Sequence, residues 1–235
     1  SCPLDLRLGR LLGKRLHTYN DCKVRTHFIQ SEYLTHSNIA DSLSGMDGVV
    51  ICPGFGQRGT EGKIIAAEYC RTHDIPTFGI CLGMQIMVIE FARNVLGLED
   101  ANSSEMDPKS TNHVIDLMEE QKNITQMGGT MRLGAYSCEL SIGSRAYDAY
   151  GRSPVKERHR HRYEFSSPYR RQFEQAGMLC TGVNPESGLV EIVEVPACRW
   201  YVGVQFHPEY TGTVLNPNPL FMAFVRSAVG SSANQ

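Results

Sequence analysis

Short apolar runs alternate with stretches of helical spacing through the first half of the chain. Asp47–Pro53 reads DGVVICP and Ile75–Ile80 reads IPTFGI, runs that suit strands buried on both faces of a parallel sheet. Between them, Thr60–His73 predicts a helix. Met84–Leu98 then sets Met84, Met87, Val88, Phe91, Val95 and Leu98 at helical spacing, an amphipathic helix ended by Gly97 and the residues after it. Upstream, Leu8, Leu11, Leu12 and Leu16 predict a surface helix over Asp5–Tyr19, and Val24–Ile29 reads as a strand. Strand–helix–strand–helix order implies a parallel sheet with right-handed crossovers.

The second half changes character. Met131–Leu140, Leu189–Val195 and Trp200–Phe206 read as strands, and Glu191–Val195 alternates as a half-solvated strand should. Asn102–Met127 is polar and reads as a surface loop, and Gly230–Gln235 as a frayed terminus. The expectation is one α/β domain over residues 1–235: three layers, a mostly parallel central sheet with helices on both faces, and added antiparallel strands.

Composition narrows the function classes. A chain of 235 residues buries roughly 70% of its surface, enough for a core without staples. At 41% hydrophobic and 20% charged it is neither disordered nor fibrous. A net charge of −2 disfavours nucleic acid as the main partner. No apolar run approaches the ~20 residues of a membrane span. Ser1–Asn20 carries Asp5 and lacks the central apolar stretch of a signal peptide. The cysteines, at 2, 22, 52, 70, 81, 138, 180 and 198, form no CxxC pair. They read as reduced thiols of a cytoplasmic protein, mostly small buried hydrophobes.

Gly79-Ile80-Cys81-Leu82-Gly83 stands apart. It has the form G-x-nucleophile-x-G between a predicted strand and a predicted helix, the setting of a nucleophile elbow. A sharp turn presents the sulfur outward, the helix N-terminus favours a thiolate, and the Leu82 amide is the natural oxyanion donor. A base must accompany it. In Gln205-Phe206-His207-Pro208-Glu209, after the last strand, His and Glu at i and i+2 face one side. Glu209 can hold the imidazole to accept the Cys81 proton. Alone, each motif has a bland reading, a structural cysteine or a solvated turn; two strand ends carrying both favour chemistry.

Further motifs are PGFGQRGTEGK (Pro53–Lys63), FARNVLGLEDANSSE (Phe91–Glu105), GGTMRLGAY (Gly128–Tyr136), RHRHRYEF (Arg158–Phe165) and GVQFHPEY (Gly203–Tyr210). With these the chain, from about Asp47 to Val225, resembles a class I (triad) glutamine amidotransferase, and more narrowly the glutaminase domains of the CTP synthases. The resemblance implies a flavodoxin-like fold, Cys81 as nucleophile, His207 as base and Glu209 as its partner. It implies Gly54 as second oxyanion donor beside Phe55, and Leu82, Gly83, Met84 and Gln85 along the glutamine pocket. Glu105 would receive the substrate α-ammonium and Arg162 its α-carboxylate, a pairing that suits a free amino acid. It further implies no cofactor in this domain, Mg-ATP only in a synthase domain, GTP as an allosteric activator with Arg58 as a contact, and a homotetramer in the full-length family. The implied role is to supply ammonia for ATP-dependent conversion of UTP to CTP.

Three departures stand out. Cys52-Pro53-Gly54-Phe55-Gly56 puts Pro where the family's Pro-Gly-Gly-Phe-Gly has its first glycine. Having no N–H, Pro53 leaves the donation to Gly54 with Leu82. Tyr210 stands where Phe is commoner. Neither the family's first strand nor its synthase domain is found, so the chain reads as an excised domain.

Arg158–Arg162 also reads as a nucleic-acid patch or an H-x-H metal pair, but the charge and missing ligand partners favour a solvated strand with one functional arginine. Gly56–Lys63 lacks phosphate-loop spacing. The alternatives are a glutaminase or γ-glutamyl hydrolase of another pathway on the same fold, or a non-catalytic scaffold domain.

Overall fold

The computed structural model describes residues 22–117, 131–213 and 216–232; the helix expected over Asp5–Tyr19 lies outside them. The predicted strand–helix alternation is present as β1 (Val49–Ile51), α1 (Thr60–Thr72), β2 (Thr77–Ile80) and α2 (Leu82–Asn94). There follow β3 (Asn102–Ser103), β4 (His113–Leu117), β5 (Arg132–Leu140), α3 (Arg145–Tyr150), β6 (Val155–His161) and β7 (Tyr163–Phe165). The chain continues through α4 (Arg170–Ala176), β8 (Leu179–Val183), β9 (Val190–Glu194), β10 (Tyr201–Val204) and α5 (Pro219–Ser232).

A seven-stranded sheet runs in the order β1-β2-β10-β9-β8-β5-β6. Its parallel part is β1, β2 and β10, with Val50 opposite Phe78 and Phe78 opposite Val202. From β10 outward, β9, β8, β5 and β6 continue it antiparallel. The three-layer α/β expectation holds, but where a mostly parallel sheet was expected, four of the six pairings in this sheet are antiparallel. β3, β4 and β7 form a separate small sheet.

All residues of β2 and β10 are buried, as covered parallel strands require. Phe78, Ile80, Val202 and Val204 face α5, packing on Leu220, Phe221 and Phe224; Phe78 and Phe221 meet edge to face at 5.4 Å. The opposite face holds α1 and α2, where Ile64 and Ala67 join Met84, Met87 and Val88 in one core.

β9, expected to be half-solvated, is buried from Val190 to Glu194, and four further expectations need correction. The helix after the cysteine is not amphipathic: Leu82 through Ala92 are buried without a break. The small sheet covers its outer flank with Val114, Ile115 and Phe165, and a helix covered all round is apolar all round. Its buried Glu90 is held by Arg71 at 2.7 Å and by the Tyr201 hydroxyl at 3.2 Å. Second, Val24–Ile29 forms no strand; it finds no ladder partner among the described residues, and Phe28 is 70% exposed. Third, β3 and β4 lie inside the segment expected as a loop, Asn102–Met127, because Val114 and Ile115 bury against α2; residues 118–127 lie outside the described ones. Fourth, α5 runs through Gly230 to Ser232 where a frayed end was expected.

Gly83 shows how tightly the layers close. A Cβ there would sit 2.0 Å from the Ile51 carbonyl oxygen, a backbone atom that cannot swing away. Gly83→Ala is expected to destabilise the fold by about 3 kcal/mol or more, read as a lower urea midpoint. An unchanged midpoint would refute this account of the β1–α2 packing.

Candidate active site

Cys81 joins β2 to α2 at φ 53° and ψ −104°, a conformation that side chains with a Cβ rarely adopt. The glycines around it are required by contact. A Cβ at Gly79 would meet the Met87 Sδ at 2.3 Å and the Gly83 carbonyl carbon at 2.7 Å. The G-x-C-x-G pattern therefore lets strand, turn and helix close on one another. The turn leaves Cys81 3% exposed, yet on the wall of a cavity. The thiol stands at the N-cap of α2, where backbone amides and the helix dipole favour negative charge.

The neighbouring strand delivers the imidazole. β10 pairs with β2 so that Val204 lies opposite Ile80, and the Cys81 amide donates to the Val204 carbonyl at 2.8 Å. Three residues on, His207 is anchored by its own amide to the Arg158 carbonyl at 2.8 Å. Its Nδ1 and Glu209 Oε1 are 2.6 Å apart, and its ring stacks on Tyr210 with centroids 4.9 Å apart. Burial pulls the His207 pKa down, but the Cys81 thiol and Glu209 outweigh it and raise the pKa to about 10. The buried Nε2 makes no hydrogen bond of standard geometry. Its interaction with the thiol is therefore looser than ideal, as catalytic contacts often are before substrate binds.

The cavity, about 320 Å³, opens between Gly54-Phe55, Cys81, Gln85, Glu105 and the β6–β7 corner at Arg160–Tyr163. Of the residues expected to bind glutamine, Gly54, Phe55, Gln85, Glu105 and Arg162 line it. Burial raises the Glu105 pKa while Arg162 opposes the rise, so the two charges face one space. Leu82, Gly83 and Met84 are buried behind the turn; Met84 sits in the core and packs on Gly203, where a Cβ would lie 3.1 Å from it. Leu82 still reaches Gly54, since a Cβ there would sit 3.2 Å from the Leu82 Cδ2. The Leu82 side chain thus lies against the backbone of Gly54. Arg58 is outside the cavity lining, bound to Glu32 through Nε at 2.5 Å and a terminal nitrogen at 2.7 Å.

Reading Arg158–Arg162 as a solvated strand was half right. β6 alternates, with Arg158 and Arg160 exposed but Glu157, His159 and His161 buried. Behind the cavity, Arg132 lies 2.7 Å from Glu191 and 3.5 Å from Glu164, and His159 and His161 share a hydrogen bond at 2.8 Å. Burial, with Arg132 nearby, lowers the His159 pKa to about 2 and the His161 pKa to about 3, so both imidazoles are neutral. Sequence reasoning also passed over Met131 and Tyr163, on the wall, and Gln205, which contacts the sulfur. Its one available signal was its place at the end of a predicted strand.

A thiol at the β2 end, an imidazole–carboxylate pair beyond the β10 end and a two-charge pocket on an α/β sheet are the parts of a glutamine amidotransferase. The family model for class-I glutamine amidotransferases matches residues 12–227, and the chain belongs to that family. Within it the chain groups with the glutaminase domains of CTP synthases. It is 65% identical over 217 residues to the CTP synthase of Bacteroides thetaiotaomicron, covering 92% of this chain and 40% of that protein. It is 63% identical over 211 residues to the Porphyromonas gingivalis CTP synthase, covering 90% and 39%. The chain thus spans about 40% of the length of these relatives. Among solved structures, the Trypanosoma brucei CTPS glutaminase domain with bound acivicin superposes with a TM-score of 0.90 at 35% identity, covering 96% of this chain and 88% of that one. A candidate GMP synthase subunit from Thermoplasma acidophilum shares the fold, with a TM-score of 0.58 at 14% identity, covering 100% and 90%. No helix among the described residues is long and apolar enough to cross a membrane.

The raised His207 pKa has a defined sign. A folded pKa of about 10, above the roughly 6.5 of a free imidazole, adds stability that is complete below about pH 6.5 and lost as pH rises through about 10. The stability gap between wild type and His207→Gln should therefore narrow over that window in denaturation midpoints. A gap independent of pH would show that the imidazolium is not held.

Proposed function

We propose that this chain hydrolyses L-glutamine to glutamate and ammonia through Cys81, His207 and Glu209. The observation that carries the reading is the 2.6 Å His207–Glu209 contact, with the other side of the imidazole at the thiol. With the proton of the Cys81–His207 pair held on the imidazole, the Cys81 sulfur attacks the side-chain amide carbon as a thiolate. The Gly54 and Leu82 amides stabilise the resulting oxyanion. As the C–N bond breaks, His207 returns the proton to the leaving nitrogen and ammonia departs, leaving a γ-glutamyl thioester. Water then attacks the thioester, His207 takes its proton, and the sulfur leaves as glutamate forms. Glu209 keeps the imidazole oriented and steadies its positive form throughout. Glu105 and Arg162 bind the substrate α-ammonium and α-carboxylate.

The same reading extends to a longer enzyme. There the ammonia passes to a synthase domain and displaces phosphate from UTP phosphorylated at O4 by ATP, giving CTP. GTP activation and tetrameric assembly belong to that longer enzyme.

Cys81→Ala should abolish ammonia release while Cys70→Ala and Cys180→Ala retain it. A glutamine-like electrophile should attach at Cys81, as located by mass spectrometry. Burial pushes the Cys70 and Cys180 pKa values to about 12, which keeps those thiols protonated. Full ammonia release by Cys81→Ala would overturn the assignment. Arg162→Ala should raise the glutamine KM about 10-fold or more, in line with a lost charge-assisted contact, while barely affecting an amide substrate without the carboxylate. Equal effects on both substrates would remove Arg162 from the pocket.

A further inference from the structure

The sulfur of Cys81 has a side-chain neighbour that the mechanism above leaves unused. Gln205 follows β10 directly and is wholly buried, and its Nε2 lies 3.8 Å from Cys81 Sγ. Its backbone amide donates to the Glu191 carbonyl at 2.8 Å, which fixes the residue in the sheet. The amide end is oriented as well. Gln205 Oε1 accepts from Gln85 Nε2 at 3.3 Å, and that same nitrogen donates to the Tyr163 carbonyl at 2.9 Å. With its oxygen turned to a donor, the Gln205 amide has its N–H side left for the sulfur.

We propose that Gln205 is a further catalytic residue, whose side-chain amide donates a hydrogen bond to the Cys81 sulfur and is aimed there by Gln85. The proposal rests on Cys81 being the nucleophile. A carboxamide suits the position chemically. It donates without carrying charge, and unlike a carboxylate it neither repels a thiolate nor competes with His207 for the thiol proton. A hydrogen bond to an ionised sulfur is stronger than one to a thiol or thioester. Gln205 therefore favours the thiolate at the two points where it occurs: before attack on the amide, and when the sulfur leaves from the hydrolysed thioester. The α2 N-terminus, through its dipole, and Gln205, through a direct contact, thus favour the anion from different elements.

The test separates this role from the glutaminase reading. Cys81 alkylation by iodoacetamide is followed by mass spectrometry across pH in the whole chain, for wild type, Gln205→Met and Gln205→Glu. Both replacements are close to Gln in length, and circular dichroism confirms folding. The pH midpoint of alkylation should rise by about one unit in Gln205→Met, the scale of one charge-assisted hydrogen bond, and further in Gln205→Glu. Gln85→Leu, which frees the Gln205 amide to rotate, should shift it the same way by less. Glutamine kcat should fall at least about 10-fold in Gln205→Met with KM within about twofold. Midpoints identical to wild type in the folded variants would overturn the proposal. A wild type that releases no ammonia from glutamine would defeat the glutaminase reading alone, because the midpoint shift would still support the amide's contact with the sulfur.

Discussion

The parallel pairing of β2 with β10 is the constraint on which this site depends. Cys81 and His207 are distant in the chain, yet each follows a strand whose last residues, Ile80 and Val204, lie in register. Ligand sites on α/β sheets form where such strand ends emerge. Here the pairing also fixes the angle between sulfur and imidazole. Both strands are buried on both faces, so a slip of one residue would turn Phe78 and Ile80 away from α5 and into the α2 layer. The placement of the thiol and the imidazole is therefore secured by the core itself.

Much of this was legible in the residues, for identifiable reasons. Buried parallel strands make continuous apolar runs, so β1 and β2 were visible, and the glycines of Gly79–Gly83 announced a tight strand–helix turn. Glu209 two residues beyond His207 marked an oriented imidazole at a strand end. What stayed hidden depended on partners distant in the sequence. Nothing near Met84–Leu98 tells of the small sheet that covers α2, and nothing in Val24–Ile29 shows that a neighbouring strand is missing. In β6 polar residues occupy both faces, so the alternation that buries His159 and His161 is masked; Arg132, Glu164 and Glu191, from other strands, make those positions tenable.

The histidines show how far environment sets chemistry. His207 gains a carboxylate on one nitrogen and a thiol near the other, and it holds its proton more tightly than a free imidazole. His159 and His161, close enough to feel the His207 charge, meet burial and the Arg132 charge and give their protons up. One residue type in one corner of a sheet is thus divided into a protonated imidazole and neutral wall material. The buried ion cluster behind them is costly unless fully compensated, and it fixes the β6–β7 corner from which Arg162 reaches the cavity.

The enclosure of α2 on every side carries a consequence for how such a pocket can vary. Its first turn, which Cys81 caps, has no room to shift without opening two cores, so the thiol is the fixed jaw of a vice. The facing jaw is Gly54-Phe55 and the 160–163 corner, where Phe55 is 58% exposed. Changes in what the vice accepts, by natural variation or by an engineer's choice, fall to that outer jaw, while the chemistry stays anchored in place.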